Sequence, residues 1–594
     1  MRSSRKPAAL VATATAAVLT LALGAAPAAG GPRSVDKVPV AVGTGGAVAT
    51  VDAEATRVGL EVLRKGGNAV DAAVAAAATL GVTEPYSAGI GGGGFFVFYD
   101  AATGEVHTID GRETAPMAME SDAFVEEGVP LPFAEAVTSG LSVGVPGTPA
   151  TWDRALAEWG TIDLRTALKG ATRVARRGFV VDQTFVDQTA ANAARFAAFP
   201  ASAALFLPGG APPAVGSKFR NRDLAATYDL LARHGVGALY TGRLAQEIVD
   251  TVQEPPVAPG TTLTVRPGLM ELSDLASYVA PLREPTHVGY RGLDVYGMAP
   301  PSSGGSTVGE ALNILETVDL GSLDETQALH HYLEASALAV ADRNRYVGDS
   351  DFVDVPLDEL LSDGFAAERA CLIDPATALL KPVAPGQPDG DYAACDVAGT
   401  PGTEGSGNLS TTHLTTADRW GNVVSYTLTI ESTGGNGMVV PGRGFLLNNE
   451  LTDFNFTDTQ GGSDPNLPAP GKRPRSSMAP TIVLLDGEPF LALGSPGGST
   501  IITTVLQVLV NRVDLGMDLA EAVAAPRATQ RNTFAVQAEP GFPRDGLAAL
   551  NHFFADNPEI GAATGIELLP DGSFMAVAEP TRRGGGSAGV VHRS

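Results

Sequence analysis

A threonine that begins a predicted strand, directly after a Gly-rich segment, has the clearest chemical potential in this sequence. Residues 399–410 read GTPGTEGSGNLS, and the strand sequence TTHLTT begins at Thr411. A flexible loop that leads into a strand starting with Thr suggests a chain that cleaves itself between Ser410 and Thr411. Cleavage there would give Thr411 both a hydroxyl nucleophile and an α-amine that can act as its base near neutral pH.

The residues after Thr411 predict a β-hairpin. Residues 418–422 (DRWGN) have turn composition, and residues 423–431 predict the returning strand. The hairpin is roughly symmetric about residue 420, so Thr411 should face Thr429, within one residue of register. The pattern therefore predicts two threonine hydroxyls side by side.

Two other segments present groups that could hold an anion. Arg112 follows a predicted strand and could offer its guanidinium to a carboxylate, although a surface salt bridge with Asp110 or Glu113 explains it equally well. Gly497 and Gly498 lie between a predicted strand and a predicted helix. Their N–H groups and the helix dipole could therefore face developing negative charge.

Three further Gly-rich motifs occur in unsuitable contexts. Residues 140–144 and 585–589 match G-x-S-x-G, but neither Ser142 nor Ser587 lies between a strand and a helix, as a nucleophile elbow requires. The run GIGGGG at residues 89–94 precedes a strand, whereas phosphate loops open a helix. We expect this run to serve close backbone packing instead.

The elements that must position these groups form a mixed pattern along the chain. Residues 43–100 predict a strand, helices at 53–65 and 69–80, and a strand at 95–99. Residues 150–380 are mainly helical, with the longest helix at 323–346, and residues 381–410 have a linker composition. The last third returns to strands, with a hairpin of 481–485 and 490–493 followed by a helix at 500–515.

Composition limits the possible functions. The 594 residues carry a formal net charge of −26 and no long basic run, so nucleic-acid binding is not expected. Residues 1–30 combine basic residues, an apolar stretch and the sequence APA, which predicts a cleaved signal peptide, with an uncleaved membrane anchor as the alternative. The mature protein should then be secreted or periplasmic, without a membrane anchor.

The chain has two cysteines, Cys371 and Cys395. An even number in an exported chain suggests one disulfide, which would contribute on the order of 3 kcal/mol. No histidine lies near them, and His330 and His331 are not accompanied by other ligand residues in sequence. No metal site is therefore expected.

Several separated motifs together resemble one family, the γ-glutamyltransferases or glutathione hydrolases, which are N-terminal nucleophile hydrolases. The resemblance spans about residues 37–590 and is carried by GGNAVDAA at 66–73, Arg112, TTH at 411–413, LNNELTDF at 447–454, KRPRSSMAPT at 472–481 and GSPGG at 494–498. It implies an α+β fold, the four-layer αββα sandwich. It also implies a precursor that cleaves itself into a large subunit of about 31–410 and a small subunit of 411–594, which remain one catalytic unit.

The resemblance also implies roles for individual residues. Thr411 would be the nucleophile, Thr429 its hydrogen-bond partner, and Gly497 and Gly498 the oxyanion donors. The γ-glutamyl group carries an α-carboxylate and an α-ammonium, so its pocket needs both signs of charge. The carboxylate would be held by Arg112, Ser476 and Ser477, and the ammonium by Glu431, Glu450 and Asp453.

The implied reaction is a double displacement through an acyl-enzyme. The donors are glutathione and other γ-glutamyl compounds, and the acceptor is water, an amino acid or a peptide. The resemblance implies no cofactor.

The sequence departs from the family pattern at three places. Glu431 stands where many members have Asn, and Gly434 stands where many have Phe. Residues 455–471 form a shorter segment than the lid of some members, which predicts a more open pocket for larger γ-glutamyl compounds.

Three alternatives stay open at this point. A relative of the same fold removes a glutaryl group from a β-lactam nucleus, and that substrate lacks the α-ammonium. The chain could also be a non-catalytic exported binding protein that kept the fold. A third alternative is a serine hydrolase that uses Ser142.

Overall fold

The computed structural model of the protein describes residues 36–392 and 410–592. The predicted signal segment, Cys395 and most of the linker lie outside the described residues. The backbone is continuous from Ser410 to Thr411.

Two seven-stranded antiparallel sheets form the centre of the described part of the chain. We call the first the nucleophile sheet because it contains the strand that follows Thr411. In spatial order its strands are Ser587–Val590, Gly46–Thr50, Thr412–Asp418, Val423–Thr429, Gly93–Asp100, Glu105–Gly111 and Leu282–Arg283. The second sheet has the order Val40–Gly43, Phe574–Ala578, Thr564–Leu568, Glu488–Gly494, Thr481–Leu485, Leu293–Gly297 and Thr286–Tyr290.

Helices cover the outer face of each sheet. The cluster of buried side chains on the nucleophile sheet involves the helices Ala53–Arg64, Ala69–Thr83, Thr148–Trp159, Leu164–Arg177, Gln183–Ala191, Ala193–Ala197, Pro200–Phe206, Arg222–His234, Gly237–Tyr240, Gly242–Gln253 and Leu272–Ser277. The cluster on the second sheet involves Gly304–Glu316, Glu325–Tyr346, Asp363–Ala370, Ile501–Val513, Leu519–Ala524 and Asp545–Ala549. Two short helices, Phe133–Val137 and Leu357–Leu360, lie in smaller clusters.

Small and branched side chains pack between the two sheets. Ala47, Ala49 and Val97 of the nucleophile sheet share one buried cluster with Ile482 and Ala492 of the second sheet. The central strands are therefore buried on both faces, and every residue of Thr412–Asp418 is buried. The predicted four-layer αββα sandwich is confirmed.

Glycines let the backbone approach the neighbouring strands closely at the run 89–94. A Cβ at Gly92 would lie 2.0 Å from the carbonyl oxygen of Thr429, and one at Gly94 would lie 2.3 Å from that of Thr427. A side chain at either position would push the nucleophile hairpin away. The run is thus a packing feature, as expected.

One carboxylate joins the nucleophile hairpin to the helix behind it. Asp418, in the last strand position before the turn, accepts hydrogen bonds from the backbone N–H of Ala69 and of Trp420 (2.9 and 2.8 Å). Ala69 begins the helix Ala69–Thr83, whose N-terminal dipole favours a negative charge. Because Asp418 serves both elements, it fixes the hairpin against the helix.

The cysteines and the hydropathy of the helices bear on the expected disulfide and membrane anchor. Cys371 is disulfide-bonded, and the other cysteine, Cys395, is outside the described residues. None of the helices in the described part of the chain has the length and hydropathy needed to span a bilayer.

Candidate active site

The hairpin register brings the two predicted threonines together. Thr412 pairs with Leu428, which places Thr411 opposite Thr429. The Thr411 hydroxyl donates to Thr429 Oγ1 at 3.2 Å, and the same oxygen accepts the backbone N–H of Glu431 at 2.9 Å. The Thr411 proton is thereby directed toward Thr429, and a lone pair of its oxygen is left for attack.

The backbone of Thr411 is held in an unusual conformation. Its φ of +96° lies in the left-handed region, which a β-branched residue rarely adopts and which costs on the order of 1–3 kcal/mol. Arg583 fixes the conformation, because it donates to the Thr411 carbonyl oxygen at 2.7 Å and to Ser87 Oγ at 2.8 Å. Arg583 and Ser87 are site residues that sequence reasoning missed, since no motif connects them to Thr411.

The bond before Thr411 lies against the Gly-rich loop. The backbone N–H of Gly497 donates to the carbonyl oxygen of Ser410 at 3.3 Å. Gly497 and Gly498 have φ values of +141° and +56°, and a Cβ at Gly497 would lie 2.6 Å from Thr500 Oγ1. The short helical turn Gly498–Thr500 and the helix Ile501–Val513 follow, so their N-terminal end faces the site.

Thr411 opens into a cavity of about 250 Å³. The residues that line it include all of the predicted substrate-binding residues, together with the nucleophile, its partner and one glycine of the loop. They are Arg112, Thr411, Thr429, Glu431, Glu450, Asp453, Ser476, Ser477 and Gly498. These residues come from six separate segments of the sequence, and only the tertiary structure brings them together.

Arg112 is a buried residue of this cavity. Its side chain is 1% exposed, it forms an ion pair with Glu450, and its Nη2 donates to Asp453 Oδ2 at 2.5 Å. The contact of Asp110 with Arg112 is to its backbone N–H, at 3.0 Å, and the Asp110 carboxylate is ion-paired with Arg283 instead. The alternative of a surface salt bridge is therefore wrong. Burial lowers the pKa of Arg112, but Glu450 and Asp453 outweigh it and keep the guanidinium charged.

Three glutamates at the site resist ionisation. Burial, and then the charges of Asp453 and Glu450, raise the pKa of Glu431 to about 8. Burial likewise raises the pKa of Glu450, with Glu113 adding to the effect, and it raises the pKa of Glu113 itself to about 8. A ligand that brings a positive charge would relieve this crowding, because it stabilises the ionised forms.

The segment 455–471 and Gly434 occupy defined places. Asn455, Phe456, Thr457 and Thr459 line one wall of the cavity, and the Phe456 ring stacks on Phe124 at 4.4 Å between centroids. No observation measures the openness of the pocket relative to other members, so the more open pocket stays a prediction.

Gly434 has a physical explanation in the structure. Its φ is +83°, and a Cβ there would lie 3.0 Å from the side chain of Asn192. A larger residue at this position would therefore be strained and crowded. The turn after Glu431 packs tightly against the helical layer at this point.

The other candidate nucleophiles and bases are held in structural roles. Ser142 is buried, and its hydroxyl donates to the carbonyl oxygens of Val137 and Ser139 (3.0 and 2.9 Å), so it is not a nucleophile elbow. Ser587 begins an outer strand of the nucleophile sheet. His413, next to the nucleophile in sequence, is buried, and burial lowers its pKa to about 3. It therefore cannot serve as the base at neutral pH.

One cluster in the described residues has metal-ligand types. His330, Glu334 and His552 are buried with their ligand atoms within 4.8 Å of one another. Glu334 forms an ion pair with Lys381, however, and His330 Nδ1 lies 2.8 Å from His552 Nε2. The lysine ammonium already supplies the positive charge that this carboxylate needs.

Comparison with known proteins relates this arrangement to one family. The family described as Gamma-glutamyltranspeptidase has a sequence model that matches residues 55–589. The chain is 39% identical over 564 residues to the glutathione hydrolase proenzyme of Bacillus subtilis (strain 168), covering 93% of each chain.

Acylases are similar to the chain as well. It is 36% identical over 549 residues to the acylase ACY 1 proenzyme of Pseudomonas sp. (strain SE83), covering 91% of this chain and 92% of that protein. The solved structure of a cephalosporin acylase from Bacillus halodurans superposes with a TM-score of 0.82 at 29% identity, over 94% of this chain and 98% of that one.

Proposed function

The chain belongs to the gamma-glutamyltranspeptidase family, and from that premise we propose that it is a self-processing γ-glutamyltransferase and glutathione hydrolase. The observation that carries the proposal is the pairing of charges in the cavity beside Thr411. Arg112 and Asp453 lie in direct contact there, next to Glu431 and Glu450. A γ-glutamyl group presents the complementary pair, an α-carboxylate and an α-ammonium.

We propose that the precursor cleaves itself between Ser410 and Thr411. The Thr411 oxygen attacks the carbonyl carbon of Ser410. The carbonyl oxygen becomes negatively charged, and the Gly497 N–H stabilises it by a hydrogen bond. The bond from this carbon to the Thr411 nitrogen then breaks, and an ester remains. The hydroxyl proton ends on the released nitrogen. Water then hydrolyses the ester, which frees the carboxylate of Ser410 and the amine and hydroxyl of Thr411. The strained backbone of Thr411 favours this step, because after cleavage Thr411 is a chain terminus and is no longer held at a φ of +96°.

Catalysis then repeats the attack on a substrate amide. The α-amine of Thr411 takes the hydroxyl proton while the oxygen attacks the γ-carbonyl carbon, and the N–H groups of Gly497 and Gly498 receive the oxyanion. The proton passes to the departing amine, and the γ-glutamyl ester remains on Thr411. Water or an acceptor amine attacks this ester in the second half of the reaction and regenerates the hydroxyl.

A glutaryl β-lactam acylase is the second candidate, since a Pseudomonas acylase and a Bacillus halodurans cephalosporin acylase are similar to the chain. A glutaryl group has no α-ammonium. Glu431, Glu450 and Asp453 would then lie together without a cation from the substrate, at a cost in free energy. The three acidic residues therefore favour the γ-glutamyl substrate.

Two measurements test the proposal. A denaturing gel with N-terminal sequencing should show two fragments, the smaller one beginning at Thr411, whereas one uncleaved band would support the non-catalytic binding protein. Hydrolysis of matched γ-glutamyl and glutaryl anilides should favour the γ-glutamyl compound. A preference for the glutaryl compound would instead make the protein an acylase.

Residues 1–30 support a proposal about location. Their basic start, apolar stretch and small-residue site are typical of a cleaved export signal. We propose that the mature protein is exported, and fractionation of the producing cell with sequencing of the mature N-terminus checks this.

Glu431 should give ligand binding a measurable pH dependence. Its pKa of about 8 means that the carboxyl gains its charge as pH rises from 7 to 8.5, and a charged carboxylate attracts the ligand's ammonium. The inhibition constant of L-glutamate should therefore fall roughly eightfold over this range if the ionised form binds it. Competitive inhibition of γ-glutamyl anilide hydrolysis measures it.

The control for this prediction is Glu431→Gln, which is neutral at every pH in the range. It should keep only a shallower slope, because Glu113, whose pKa is also raised to about 8, still titrates nearby. Equal slopes for both proteins would show that Glu431 does not contribute.

A further inference from the structure

Arg343 lies at the cavity although no motif connected it to the site. It belongs to the helix Glu325–Tyr346, near the helix C-terminus, and the residue is 6% exposed. Its side chain nevertheless lines the same cavity as Thr411 and Arg112. A buried guanidinium in a substrate cavity needs hydrogen-bond partners with defined positions.

Its partners include Ser477 of the cavity and Ser303 behind it, and Ser303 in turn contacts Ser476. Arg343 Nη2 donates to Ser477 Oγ at 2.9 Å, and Arg343 Nε donates to Ser303 Oγ at 3.0 Å. The Ser303 hydroxyl in turn donates to the carbonyl oxygen of Ser476 at 2.6 Å. One guanidinium therefore holds Ser477 directly and Ser476 through Ser303.

These contacts determine where the serine protons can point. A serine hydroxyl has one proton to donate and accepts through its lone pairs. Ser477 Oγ accepts from Arg343, and Ser476 Oγ accepts from the backbone N–H of Met478 at 3.2 Å. Because each serine oxygen already accepts a hydrogen bond, its own proton points away from that donor. Each hydroxyl can therefore donate this proton to a hydrogen-bond acceptor on the ligand. The charge of Arg343 adds to the preference for an anion.

The backbone around this network is fixed as well. Arg475, one residue before the two serines, donates from Nη1 to the carbonyl oxygens of Arg343 and Val347 (3.3 and 3.1 Å) at the end of the long helix. Arg343 also donates to the Asn344 side chain at 2.8 Å. The Arg475 contacts and the Arg343–Ser477 hydrogen bond thus join the helix and the serine segment at two points, which limits their relative movement.

We propose that Arg343 is a positioning residue for the α-carboxylate of the ligand, acting through the hydroxyls of Ser476 and Ser477 and through its own charge. The inference rests on the proposed γ-glutamyl function and deepens it. It makes selectivity for an α-carboxylate depend on the helix Glu325–Tyr346 in addition to Arg112. Removing the guanidinium should weaken binding only of ligands that carry this carboxylate.

The test compares two inhibitors that differ in that one group. L-Glutamate has the α-carboxylate, and 4-aminobutyrate is the same molecule without it. In Arg343→Gln the inhibition constant for L-glutamate should rise roughly tenfold or more, the effect of losing hydrogen bonds to a charged group. The constant for 4-aminobutyrate should change less than about threefold. Arg343→Lys, which keeps the charge but not the planar fork, should fall between wild type and Gln.

Matched variants separate positioning from a general structural effect. Arg345→Gln alters a neighbouring arginine of the same helix that lies outside the cavity lining and contacts Ser463, and it should leave both constants unchanged. Ser303→Ala should weaken L-glutamate selectively but less than Arg343→Gln does. A gel showing the two fragments and a thermal melt confirm that each variant is folded and processed.

The results distinguish an error in the positioning role of Arg343 from an error in the proposed function. If Arg343→Gln weakens both inhibitors alike, or neither, the positioning role is wrong while the proposed function stands. If Arg343→Gln does not fold, the same two inhibitors are compared in Arg343→Lys and Ser303→Ala. If neither variant changes the ratio of the inhibition constants of L-glutamate and 4-aminobutyrate, the positioning role of Arg343 is wrong. If wild type neither turns over a γ-glutamyl anilide nor binds L-glutamate, the proposed function itself fails.

Discussion

Thr411→Ala is expected to remain a single uncleaved chain of 60.7 kDa, before any signal removal, and to lose at least about 10⁴-fold in activity. The substitution removes the oxygen that attacks Ser410 in the precursor and the substrate in the mature enzyme. Thr429 cannot replace it, because Thr429 has no α-amine and lies within a strand. A denaturing gel and an anilide assay measure both effects.

Two variants control for this result. Thr411→Ser keeps the hydroxyl and should cleave and turn over substrate, although more slowly. Thr412→Ala removes a neighbouring buried hydroxyl that has no hydrogen-bond partner among the described residues, and it should be processed normally. A processed and active Thr411→Ala protein would contradict the assignment and would restore a serine nucleophile such as Ser142 as a candidate.

Arg112→Gln is expected to lower kcat/KM for γ-glutamyl donors by about 10³-fold, equivalent to roughly 4 kcal/mol. The variant loses the positive charge that attracts the α-carboxylate and leaves Glu450 and Asp453 without their cation. The loss should appear mainly in KM if the carboxylate is held equally in the ground and transition states. Arg112→Lys should recover only part of it, because a compact ammonium cannot keep the contacts that the planar guanidinium makes with both Glu450 and Asp453.

A buried arginine elsewhere provides the control for stability. Arg369 is also buried and ion-paired, with Asp342, but it does not line the cavity. Arg369→Gln should lower the melting temperature, as Arg112→Gln does, because each leaves a buried carboxylate without its partner. Only Arg112→Gln should change kcat/KM strongly. Equal kinetic losses in both variants would mean that Arg112 acts through folding alone.

Local patterns made much of the fold predictable. The helix predicted at 69–80 begins at Ala69 as expected and continues to Thr83, and the strand predicted at 95–99 spans Gly93–Asp100. The register of the nucleophile hairpin was also predictable, because side chains alternate with a period of two and only eighteen residues separate Thr411 from Thr429. The four-layer arrangement of these elements came from the family resemblance.

The site residues could be named from the sequence, but their contacts could not. Arg112 and Glu450 are separated by 338 residues, and their ion pair exists because the sheets and helices bring the two segments to one cavity. The sequence left open whether Arg112 faced solvent or substrate. Burial decided the question, since a 1% exposed guanidinium must be paired in the interior.

The sequence by itself determined that Thr411 follows a Gly-rich linker, directly precedes a strand and faces Thr429. Those features depend on neighbours in the chain and on a hairpin with a short turn. Only the tertiary structure decided that the Ser410 carbonyl meets the Gly497 N–H, that Arg583 holds the Thr411 carbonyl, and that Arg343 anchors the two serines. Each of these contacts joins segments more than eighty residues apart, and their distances depend on how the four layers pack and not on any local pattern.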